Sequence, residues 1–381
     1  MISASHEVIV VGAGPAGLAS AIALRQAGLD AVCAGPAPQP DRRTTALLTG
    51  SVRFLKSIGV WPALAPEAAP LRALRLIDRT GRILRAPDMV FDAAEIGEEA
   101  FGYNVPNMAI LKVMTETLGT AFFATDGVVS VEPGPQRVKL HLADGATLDA
   151  KLAVGADGRN SICRESAGIG VRSWSYDQTA LVCNLSHSRP HGGACTEFHY
   201  AGGPLTVVPL PGEASSLVWV ERSAAAKTLT GLSEAALTNA LSERLNGLIG
   251  TVTELGPRGV FPLSGLIAKR LTGPRIALVG EAAHVMPPIG AQGLNLGFRD
   301  VADLVRCISG ADDPGSPGCL ARYENARRGD VLSRTFAADF LNRTLISANP
   351  LLQLARGAGL MALSMPGPLR RAAMRRGMAT A

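Results

Sequence analysis

Three glycines near the start of the chain have the spacing of a nucleotide-binding turn. The segment Gly12-Ala13-Gly14-Pro15-Ala16-Gly17 fits G-x-G-x-x-G and stands between an apolar run, HEVIVV, and a helical pattern, LASAIALRQAG. In such a turn the first glycine permits the bend, the second lets the backbone approach a pyrophosphate, and the third lets helix and strand pack closely. Proline suits the first helical turn. We therefore predict that the pyrophosphate of a dinucleotide lies against Gly12, Gly14, Pro15, Ala16 and Gly17.

A second glycine-rich stretch, from Leu278 to Asp300, has the residues of a seat for a flat ring. Glu281 ends an apolar run, where its carboxylate can accept hydrogen bonds from a sugar-alcohol chain. Two prolines stiffen the turn, glycines keep side chains off the ring, and the next helix directs free N–H groups and its positive dipole end at it. Because a reduced flavin is negative at N1 and O2, the stretch predicts a flavin site. Its predicted contacts are Gly280, Glu281, Pro288, Gly290, Gln292, Gly293, Leu294 and Asn295, and His284 is expected to shape the turn.

A third motif, VGADGRNSICRESAG, repeats the arrangement of a strand that ends just before a helix. Asp157 ends the strand, and Ser161 and Arg164 open the helix. An Asp-Gly pair alone is more often a turn than a ligand. Together with the two other motifs it favours a cofactor contact by Asp157.

One part of the dinucleotide motif is missing. An acid is expected about 20 residues after the glycines, at the end of the second strand, to hold the adenosine ribose. That place falls near Gly35, and Asp41 is the nearest acid. The ribose must therefore be held by backbone, by water or by another residue.

The elements that position these motifs follow an α/β, then β-rich, then α/β order. HEVIVV, the first helix and LDAVCAG form a βαβ unit. Residues 44–61 predict a helix, residues 72–87 a hairpin turning at Asp78–Gly81, and residues 140–158 two strands around Asp144-Gly145. Residues 180–262 alternate with period two, broken by one helix at 233–247, which predicts a mainly antiparallel sheet. RIALVGEA returns to a buried strand and FRDVADLVRCI to a helix.

We therefore predict an α/β fold in which a Rossmann-like FAD-binding domain is built from discontinuous segments. An antiparallel β-sheet substrate domain is inserted into it, and a helical tail follows. The FAD-binding segments are expected at 1–68, 100–165 and 262–340, the substrate-domain hairpin at 69–99, the rest of the substrate domain at 166–261, and the basic amphipathic tail at 341–381.

Composition excludes several classes of protein. The chain has 381 residues, 47% of them hydrophobic, which is enough for a large core, and no low-complexity tract. Six cysteines form no C-x-x-C and no group of metal-ligand spacing, so we expect reduced thiols and no metal site. No signal or transit peptide precedes the first strand. This observation and the expected reduced thiols together predict a cytoplasmic protein.

The net charge of +5 belongs to the tail. No acidic side chain follows Asp339, whereas six arginines do, and the rest of the chain is close to neutral without them. This distribution argues against a nucleic-acid-binding protein. The tail begins with a capped helix start, Asn349-Pro350, and Pro366-Gly367-Pro368 interrupts it. One helical face is expected to carry Leu351, Leu354, Ala355, Ala358, Met361, Ala362 and Met365. Polar residues and prolines exclude a transmembrane span, which leaves a membrane-surface helix or a helix packed on the protein itself.

The three motifs in this order resemble the FAD-dependent aromatic hydroxylases of the single-component, para-hydroxybenzoate-hydroxylase-like class, over nearly the whole chain. Within that class, DRRTTALLTGSVRFLKSIGVW, YNVPN, GEAAHVMPPIGAQGLNLGFRDVADL and the arginine-rich tail are most similar to the ubiquinone-biosynthesis hydroxylase family. The resemblance implies FAD as cofactor, NADH or NADPH as co-substrate, O2, and a polyprenylated phenol as substrate. It also implies a flavin C4a-hydroperoxide as the oxidant. Partners would be a membrane surface at the inner face, or other ubiquinone-biosynthesis enzymes, bound through the tail.

The resemblance also assigns roles to single residues. Asp157 would lie at the FAD and nicotinamide face, and Glu281 stands on the ribityl chain where the family usually has Asp. Arg43 would contact the flavin side, with an exposed loop arginine as the alternative. The oxidant needs a protein that excludes water, orients the ring and helps a phenol lose its proton. His199, beside Tyr200 on a β-rich segment, is the catalytic candidate, and a structural histidine is the alternative.

Other functions remain open at this stage. A hydroxylase of a small soluble phenol, a flavin-linked reductase of prenyl chains and a flavin-binding interaction protein without turnover would share these motifs. A pyridine-nucleotide–disulfide reductase would need a second G-x-G-x-x-G and a redox C-x-x-C, and the sequence has neither.

Overall fold

The first two elements show how the apolar pattern builds the core. Val8 to Val11 form the C-terminal half of a strand and are buried on both faces, and the following helix buries Leu18, Ile22 and Leu24 against it. Pro15 occupies the first helical turn, where its missing N–H leaves no bond unmade. The computed structural model describes residues 3–81, 87–347 and 349–377.

The described chain alternates between helices and strands. The α-helices are α1 (Pro15–Gln26), α2 (Thr49–Ser57), α3 (Trp61–Leu64), α4 (Asn107–Leu118), α5 (Ile162–Ser166), α6 (Ser223–Thr230), α7 (Glu234–Leu245), α8 (Gln292–Ile308), α9 (Pro317–Ile346), α10 (Pro350–Ser364) and α11 (Pro368–Gly377). Short 3-10 helices cover Ala65–Glu67, Ala93–Ile96, Gly119–Ala121 and Gly280–Ala282. The strands are β1 (Ser3–Val11), β2 (Ala31–Gly35), β3 (Thr44–Leu48), β4 (Ala69–Pro70), β5 (Ala73–Asp78), β6 (Met89–Asp92), β7 (Gly102–Pro106), β8 (Phe122–Ala124), β9 (Val128–Pro133), β10 (Val138–Leu142), β11 (Thr147–Gly155), β12 (Val171–His187), β13 (Ala194–His199), β14 (Pro204–Leu210), β15 (Ala214–Glu221), β16 (Val252–Leu255), β17 (Gly259–Ala268), β18 (Thr272–Gly273), β19 (Ile276–Leu278) and β20 (His284–Val285).

The strands form three sheets in the part of the chain that the structure describes. The first has the order β18-β19-β11-β1-β2-β8, is parallel from β19 to β8, and carries the β9–β10 hairpin on β11. The second has the order β20-β17-β12-β15-β14-β13-β5-β6, with β16 on β12, and is antiparallel except for the pair β13–β5. The third is β3-β7-β4. The strands of the first sheet come from three separated parts of the chain, which confirms the predicted α/β fold with a discontinuous nucleotide-binding part and an antiparallel sheet.

Several elements differ from the sequence prediction. The helix predicted for residues 44–61 starts only at Thr49, because residues 44–48 pair with β7 as strand β3. The antiparallel region contains a second helix, α6, before the predicted one. The first strand of the predicted hairpin forms as β5, but its antiparallel partner β6 covers Met89–Asp92 and not residues within 72–87, and residues 82–86 lie outside the described residues. The expected domain boundaries at 261/262 and 340/341 fall inside β17 and α9, and the division into domains stays a prediction.

The tail helices attach to the β5–β6 hairpin through arginines. Arg370 donates to both carboxylate oxygens of Glu95 at 2.7 Å and lies 4.2 Å from the ring centre of Phe91, beside buried Met374. Arg356 donates to Asp78 Oδ2 at 2.7 Å. The predicted capped start is confirmed, since Asn349 Oδ1 accepts from the N–H groups of Leu351 and Leu352. No described helix is long and apolar enough to cross a bilayer.

The apolar face of α10 points away from the body. Of the seven residues predicted to share one face, all except Ala362 are exposed, and Leu351 and Met365 keep 76% and 62% of their surface accessible. The inward side carries Gln353, Arg356 and Leu360. The tail therefore packs on the protein and still presents an apolar surface.

A buried ion network holds α8 and α9 against the end of β19. Asp300 on α8 accepts from Arg327 Nε at 2.9 Å, from the Gly280 N–H at 3.0 Å, and pairs with His284 Nε2 at 2.7 Å. Both Asp300 and Arg327 are 1% exposed. Although burial alone would raise it, His284 and Arg327 hold the pKa of Asp300 below its usual range.

Replacing Arg327 with Met should destabilise the protein strongly. The change leaves the Asp300 carboxylate buried without its guanidinium, and breaking such a pair costs about 3–5 kcal/mol. The free energy of unfolding measured in urea checks this. Arg306→Met is the matched control, because Arg306 is 67% exposed in its pair with Asp303 and should cost less than about 1 kcal/mol. Equal losses in both variants would contradict a special role for the buried network.

Candidate functional site

The first and third glycines of the G-x-G-x-x-G turn are packing positions. A Cβ on Gly17 would lie 1.8 Å from the carbonyl oxygen of Gly12, so helix α1 approaches the turn closely only with glycine there. Gly12 has φ +109°, and a Cβ would lie 2.4 Å from the carbonyl oxygen of Ala156, at the end of β11. These contacts bring the glycine turn and the Asp157 motif side by side.

The middle glycine faces open space. A Cβ on Gly14 would have no described atom within 4 Å, although Gly14 lies between the two crowded glycines. Gly14 is also the N-cap of α1, and no side chain caps the helix. Helix N–H groups and an open approach are what a pyrophosphate needs. The geometry therefore fits the nucleotide, and the contacts of Gly12, Gly14, Pro15, Ala16 and Gly17 with it stay a prediction.

Gly35 has no room for the missing ribose acid. A Cβ at Gly35 would lie 2.7 Å from the backbone nitrogen of Ala13, so strand β2 ends tightly against the glycine turn. Asp41, the nearest acid, is already bonded to Arg43 and to Asn107 Nδ2 at 2.9 Å. Although burial opposes it, these hydrogen bonds lower the pKa of Asp41 to about 2.

Asp157 uses its carboxylate inside its own turn. Oδ1 accepts from the Ser161 hydroxyl at 2.6 Å, and Oδ2 accepts from the Cys163 N–H at 3.0 Å, at the start of α5. Its half-buried position beside Gly12 keeps it close to the nucleotide turn. A direct contact of Asp157 with FAD or nicotinamide stays a prediction.

The second glycine-rich stretch meets the first turn at Gly280. Its φ is +59°, and a Cβ there would lie 3.2 Å from the Ala16 Cβ. On the other side, a Cβ on Gly297 would lie 3.3 Å from the Gly280 Cα. Helices α1 and α8 therefore converge on the end of β19. Two motifs that are more than 260 residues apart in the sequence form one site.

Glu281 and Arg43 form the charged part of this site. Glu281 lies in the 3-10 helix after β19 with its side chain exposed. The charge of Glu281 helps to raise the pKa of Arg43, although the hydrogen bond that Arg43 donates to Asp41 is the main cause. Arg43 also lies 5.1 Å from the ring centre of Phe261 on the second sheet. Arg43 lies in the loop between β2 and β3 with its side chain 53% exposed, as in the alternative of an exposed loop arginine, and its contact with a flavin stays a prediction.

The start of α8 has the expected free helix end, but two of its side chains serve the protein itself. Asn295 is 3% exposed and donates to the carbonyl oxygens of Ala46 and Ala291, while its Oδ1 accepts from the Leu48 N–H and the Ser51 hydroxyl. Its amide therefore fastens α8 to β3 and α2. Gln292 donates to the Gly290 carbonyl and accepts from Arg334. For Asn295 only the backbone is left to face a cofactor.

The turn before α8 is tightly bent. Gly290 has φ +63°, and Ala291, the N-cap, has φ +53°, a left-handed conformation that is unusual without glycine. Pro288 is exposed on this turn, and Gly293 has open space around its Cα, as at Gly14. The geometry directs the first N–H groups of α8, from Gln292 to Leu294, out of the helix end. His284 is buried and bonded to Asp300, which agrees with a role in shaping the turn.

His199 does not lie with these residues. Its Nε2 pairs with Glu197 at 2.7 Å and its Nδ1 with Arg356 of the tail at 3.1 Å. Because arginine only donates, Nδ1 must accept and the proton sits on Nε2. Four strand spacings, about 19 Å, separate its strand from β17 and Phe261. The position of His199 beneath the tail favours the structural alternative over the catalytic one.

Sequence reasoning missed Asp300, Arg327 and Asn107. Asp300 carried a signal, because it lies four residues from both Leu296 and Leu304 on the buried face of α8, where an unpaired acid would be costly. Its partner Arg327 lies on α9, which the sequence pattern did not single out. Asn107 holds Asp41 and accepts from Thr45, contacts that only the folded chain brings together.

Comparison with known proteins agrees with this geometry. The sequence model of the FAD binding domain family matches residues 5–334. The chain is 36% identical over 389 residues to ubiquinone hydroxylase UbiL of Rhodospirillum rubrum, covering 98% of this chain and 90% of that protein. It is 32% identical over 392 residues to the 3-demethoxyubiquinol 3-hydroxylase of Escherichia coli, covering 98% and 99%.

Two solved structures share the fold. The p-nitrophenol 4-monooxygenase PnpA of Pseudomonas putida superposes with a TM-score of 0.79 at 20% identity, covering 99% of this chain and 97% of that chain. HpxO of Klebsiella pneumoniae, complexed with FAD and uric acid, gives 0.79 at 19% identity, covering 98% and 96%. With a family match over most of its length and a full-length relative at 36% identity, the chain belongs to the FAD binding domain family and is an FAD-dependent monooxygenase.

Proposed function

We propose that this monooxygenase hydroxylates the aromatic ring of a polyprenylated phenol or quinol, a ubiquinone precursor, with NADH or NADPH and O2. The observation that carries the proposal is full-length similarity, at 36% and 32% identity, to a ubiquinone hydroxylase and a 3-demethoxyubiquinol 3-hydroxylase. The converging glycine motifs support it, because Gly14 and Gly293 have open space beside them at two helix N-termini. When bound, FAD would take electrons from the nicotinamide and activate O2 for transfer of one oxygen atom.

The residues proposed to hold FAD act mainly through the backbone. Gly14 lets the chain approach the pyrophosphate, and the N-terminus of α8 favours negative charge on the ring. Glu281 would accept hydrogen bonds from the ribityl hydroxyls, and Asp157 and Arg43 would lie at the flavin edge. The full proposed set is Gly12, Gly14, Pro15, Ala16, Gly17, Arg43, Asp157, Gly280, Glu281, Pro288, Gly290, Gln292, Gly293, Leu294 and Asn295.

The tail would hold the enzyme at the inner face of a membrane, where a polyprenylated substrate is dissolved. Its outward face is apolar, and no acidic residue follows Asp339. Exposed arginines near an anionic surface contribute about 1 kcal/mol each. The two inward arginines, Arg356 and Arg370, would keep the helices attached to the body meanwhile. Partner enzymes of the same pathway would be the alternative occupant of this face.

Replacing Gly14 with Val should remove FAD without unfolding the protein. The branched side chain would fill the open approach, while the crowded Gly12 and Gly17 stay unchanged. Gly329→Val is the matched control, because a Cβ on Gly329 of α9 would also have no described atom within 4 Å, and Gly329 lies far along the chain from the motifs. Flavin absorbance per protein after gel filtration and the circular dichroism spectrum measure the two effects. A Gly14→Val protein that keeps its full flavin would refute the pyrophosphate assignment.

Oxygen in the product should come from O2. With 18O2, NAD(P)H and a prenylated quinol precursor, we expect the hydroxylated product to gain one labelled atom by mass spectrometry. The matched reaction in 18O-labelled water with unlabelled O2 should leave the product unlabelled. Label that arrives from water, or NAD(P)H oxidation that yields only hydrogen peroxide with every ring tested, would contradict monooxygenation of such a substrate.

The chain should bind anionic vesicles through α10. We expect it to sediment with phosphatidylglycerol vesicles at low salt and to be released as the salt concentration rises. It should not sediment with phosphatidylcholine vesicles. Leu351→Glu with Met361→Glu should abolish binding, because both side chains are exposed on the apolar face. Phe123→Glu with Val129→Glu, two exposed residues of the first sheet, is the matched control. These charge changes are preferable to truncation at Asn349, which would uncover Met89 and Phe91. If the tail variant sediments like the unchanged chain, the membrane role is wrong.

A further inference from the structure

The two faces of the antiparallel sheet differ in how they are covered. One face packs on α7 through fully buried side chains such as Leu181, Leu217 and Trp219. Their neighbours along the same strands point to the opposite face. There Val182, Val218 and Val208 are only half-buried although they lie in the middle of the sheet. Central strands that leave aliphatic side chains partly open mark a surface that a ligand can cover.

One end of this open face lies at the candidate cofactor site. Asn184, two residues beyond Val182 on β12, donates to the carbonyl oxygen of Arg42 at 3.3 Å. Arg43, the next residue, lies over Phe261 of β17 and close to the charge of Glu281. The loop that brings Arg43 to the flavin motifs therefore closes the face on this side.

The other end lies beneath the tail. Leu74 on β5 pairs in register with Cys195 on β13 and with Phe91 on β6. Leu74 packs on the cluster of Met89, Phe91 and Met374, which the tail covers with Leu360 and Leu363. From β12 to β6 the sheet crosses five strand spacings, about 24 Å. The half-buried side chains thus lie on this face between the cofactor site and the tail helices, while Ser216, the register partner of Asn184 and Val208, is fully buried.

Glu197 lies in register with Thr206 and Val218, and the charged groups at this end of the face are paired with one another. Glu197 holds His199, and Arg356 bridges His199 and Asp78. Two residues before Glu197 on β13, Cys195 and its register partner Leu74 on β5 are uncharged side chains on the same face. An apolar chain can therefore cross the sheet without burying an unpaired charge.

We propose that the strip formed by Val182, Val218, Val208, Cys195 and Leu74 holds the isoprenoid chain of the substrate. This inference rests on the proposed function, since it concerns the part of the substrate that is not the ring. The chain would leave the ring at the cofactor site and run along the strip to the tail, whose outer face is apolar. Because segments of the protein itself close both ends, the strip suits a narrow flexible ligand better than a second protein. Burial of its apolar surface would supply binding energy that the ring alone lacks.

The test compares two inert quinone analogues with the same ring, one bearing a methyl group and one a farnesyl chain. Dissociation constants are measured by equilibrium dialysis on the FAD-loaded protein. The unchanged protein should bind the farnesyl analogue more tightly. Val208→Trp, which fills the middle of the strip, should reduce this preference about tenfold or more, the scale of pocket discrimination for apolar groups. Val129→Trp, an exposed strand residue of the first sheet, is the matched control and should leave the preference unchanged.

The outcomes separate the strip from the proposed function. If Val208→Trp and the unchanged protein show the same preference for the farnesyl analogue, the strip does not hold the isoprenoid chain. An equal loss of this preference in Val129→Trp would lead to the same conclusion. A matching loss of affinity for both analogues in Val208→Trp also overturns it, because the ring would then occupy this place. Flavin content and melting temperature verify that each variant is folded. Hydroxylation itself is judged by the labelled-oxygen experiment, so binding of the chain without turnover would support the strip and refute the function.

Discussion

The candidate site depends most on the hydrogen bonds and ion pairs of the buried Asp300 carboxylate. It is buried, and it joins the N–H of Gly280, the imidazole of His284 and the guanidinium of Arg327. An isolated buried carboxylate would cost several kcal/mol, so the three partners must stay in place together. Since Gly280 lies against Ala16, this network sets the distance between helices α1 and α8. The two glycine turns are thus brought together by the charge of Asp300, which lies further along helix α8 than either turn.

The glycine positions could be predicted from the sequence because their requirement is local. Gly17 packs on the carbonyl oxygen of Gly12 within the same turn, and Gly12 has φ +109°, which favours glycine, whereas the crowding of Gly12 by Ala156 depends on the distant strand β11. Gly14 is open, as predicted for the middle glycine. Asn295 is different. It was expected as a cofactor contact, but its amide bonds Leu48 and Ser51, whose positions more than 240 residues earlier could not be inferred from spacing. Motifs identify where a site lies better than they identify what each side chain touches.

The errors in the fold have the same origin. Residues 44–48 have an apolar pattern that fits a helix, yet they form β3 because β7, about 60 residues later, offers a partner strand. For residues 44–48 a long-range pairing decided the outcome, and local propensity is too weak to oppose it. For His199, Glu197 and Arg356 bond its two ring nitrogens, and its catalytic role stays a prediction.

The tail shows that amphipathic periodicity predicts which residues share one helix face but not whether that face points toward the protein or toward solvent. The pattern correctly predicted that α10 is a helix with one apolar side. The sequence was equally compatible with this side facing a membrane surface or packing on the protein itself. The structure attaches the helices through Arg356 to Asp78 and through Arg370 to Glu95, contacts that need no apolar face. No acid follows Asp339 in the tail itself, and the carboxylates that pair with these two arginines, Asp78 and Glu95, lie near β5 and β6. The tail is fastened both by these ion pairs and by Leu360, Leu363 and Met374 packing on Met89 and Phe91, so that its other apolar side chains, such as Leu351 and Met365, remain outward.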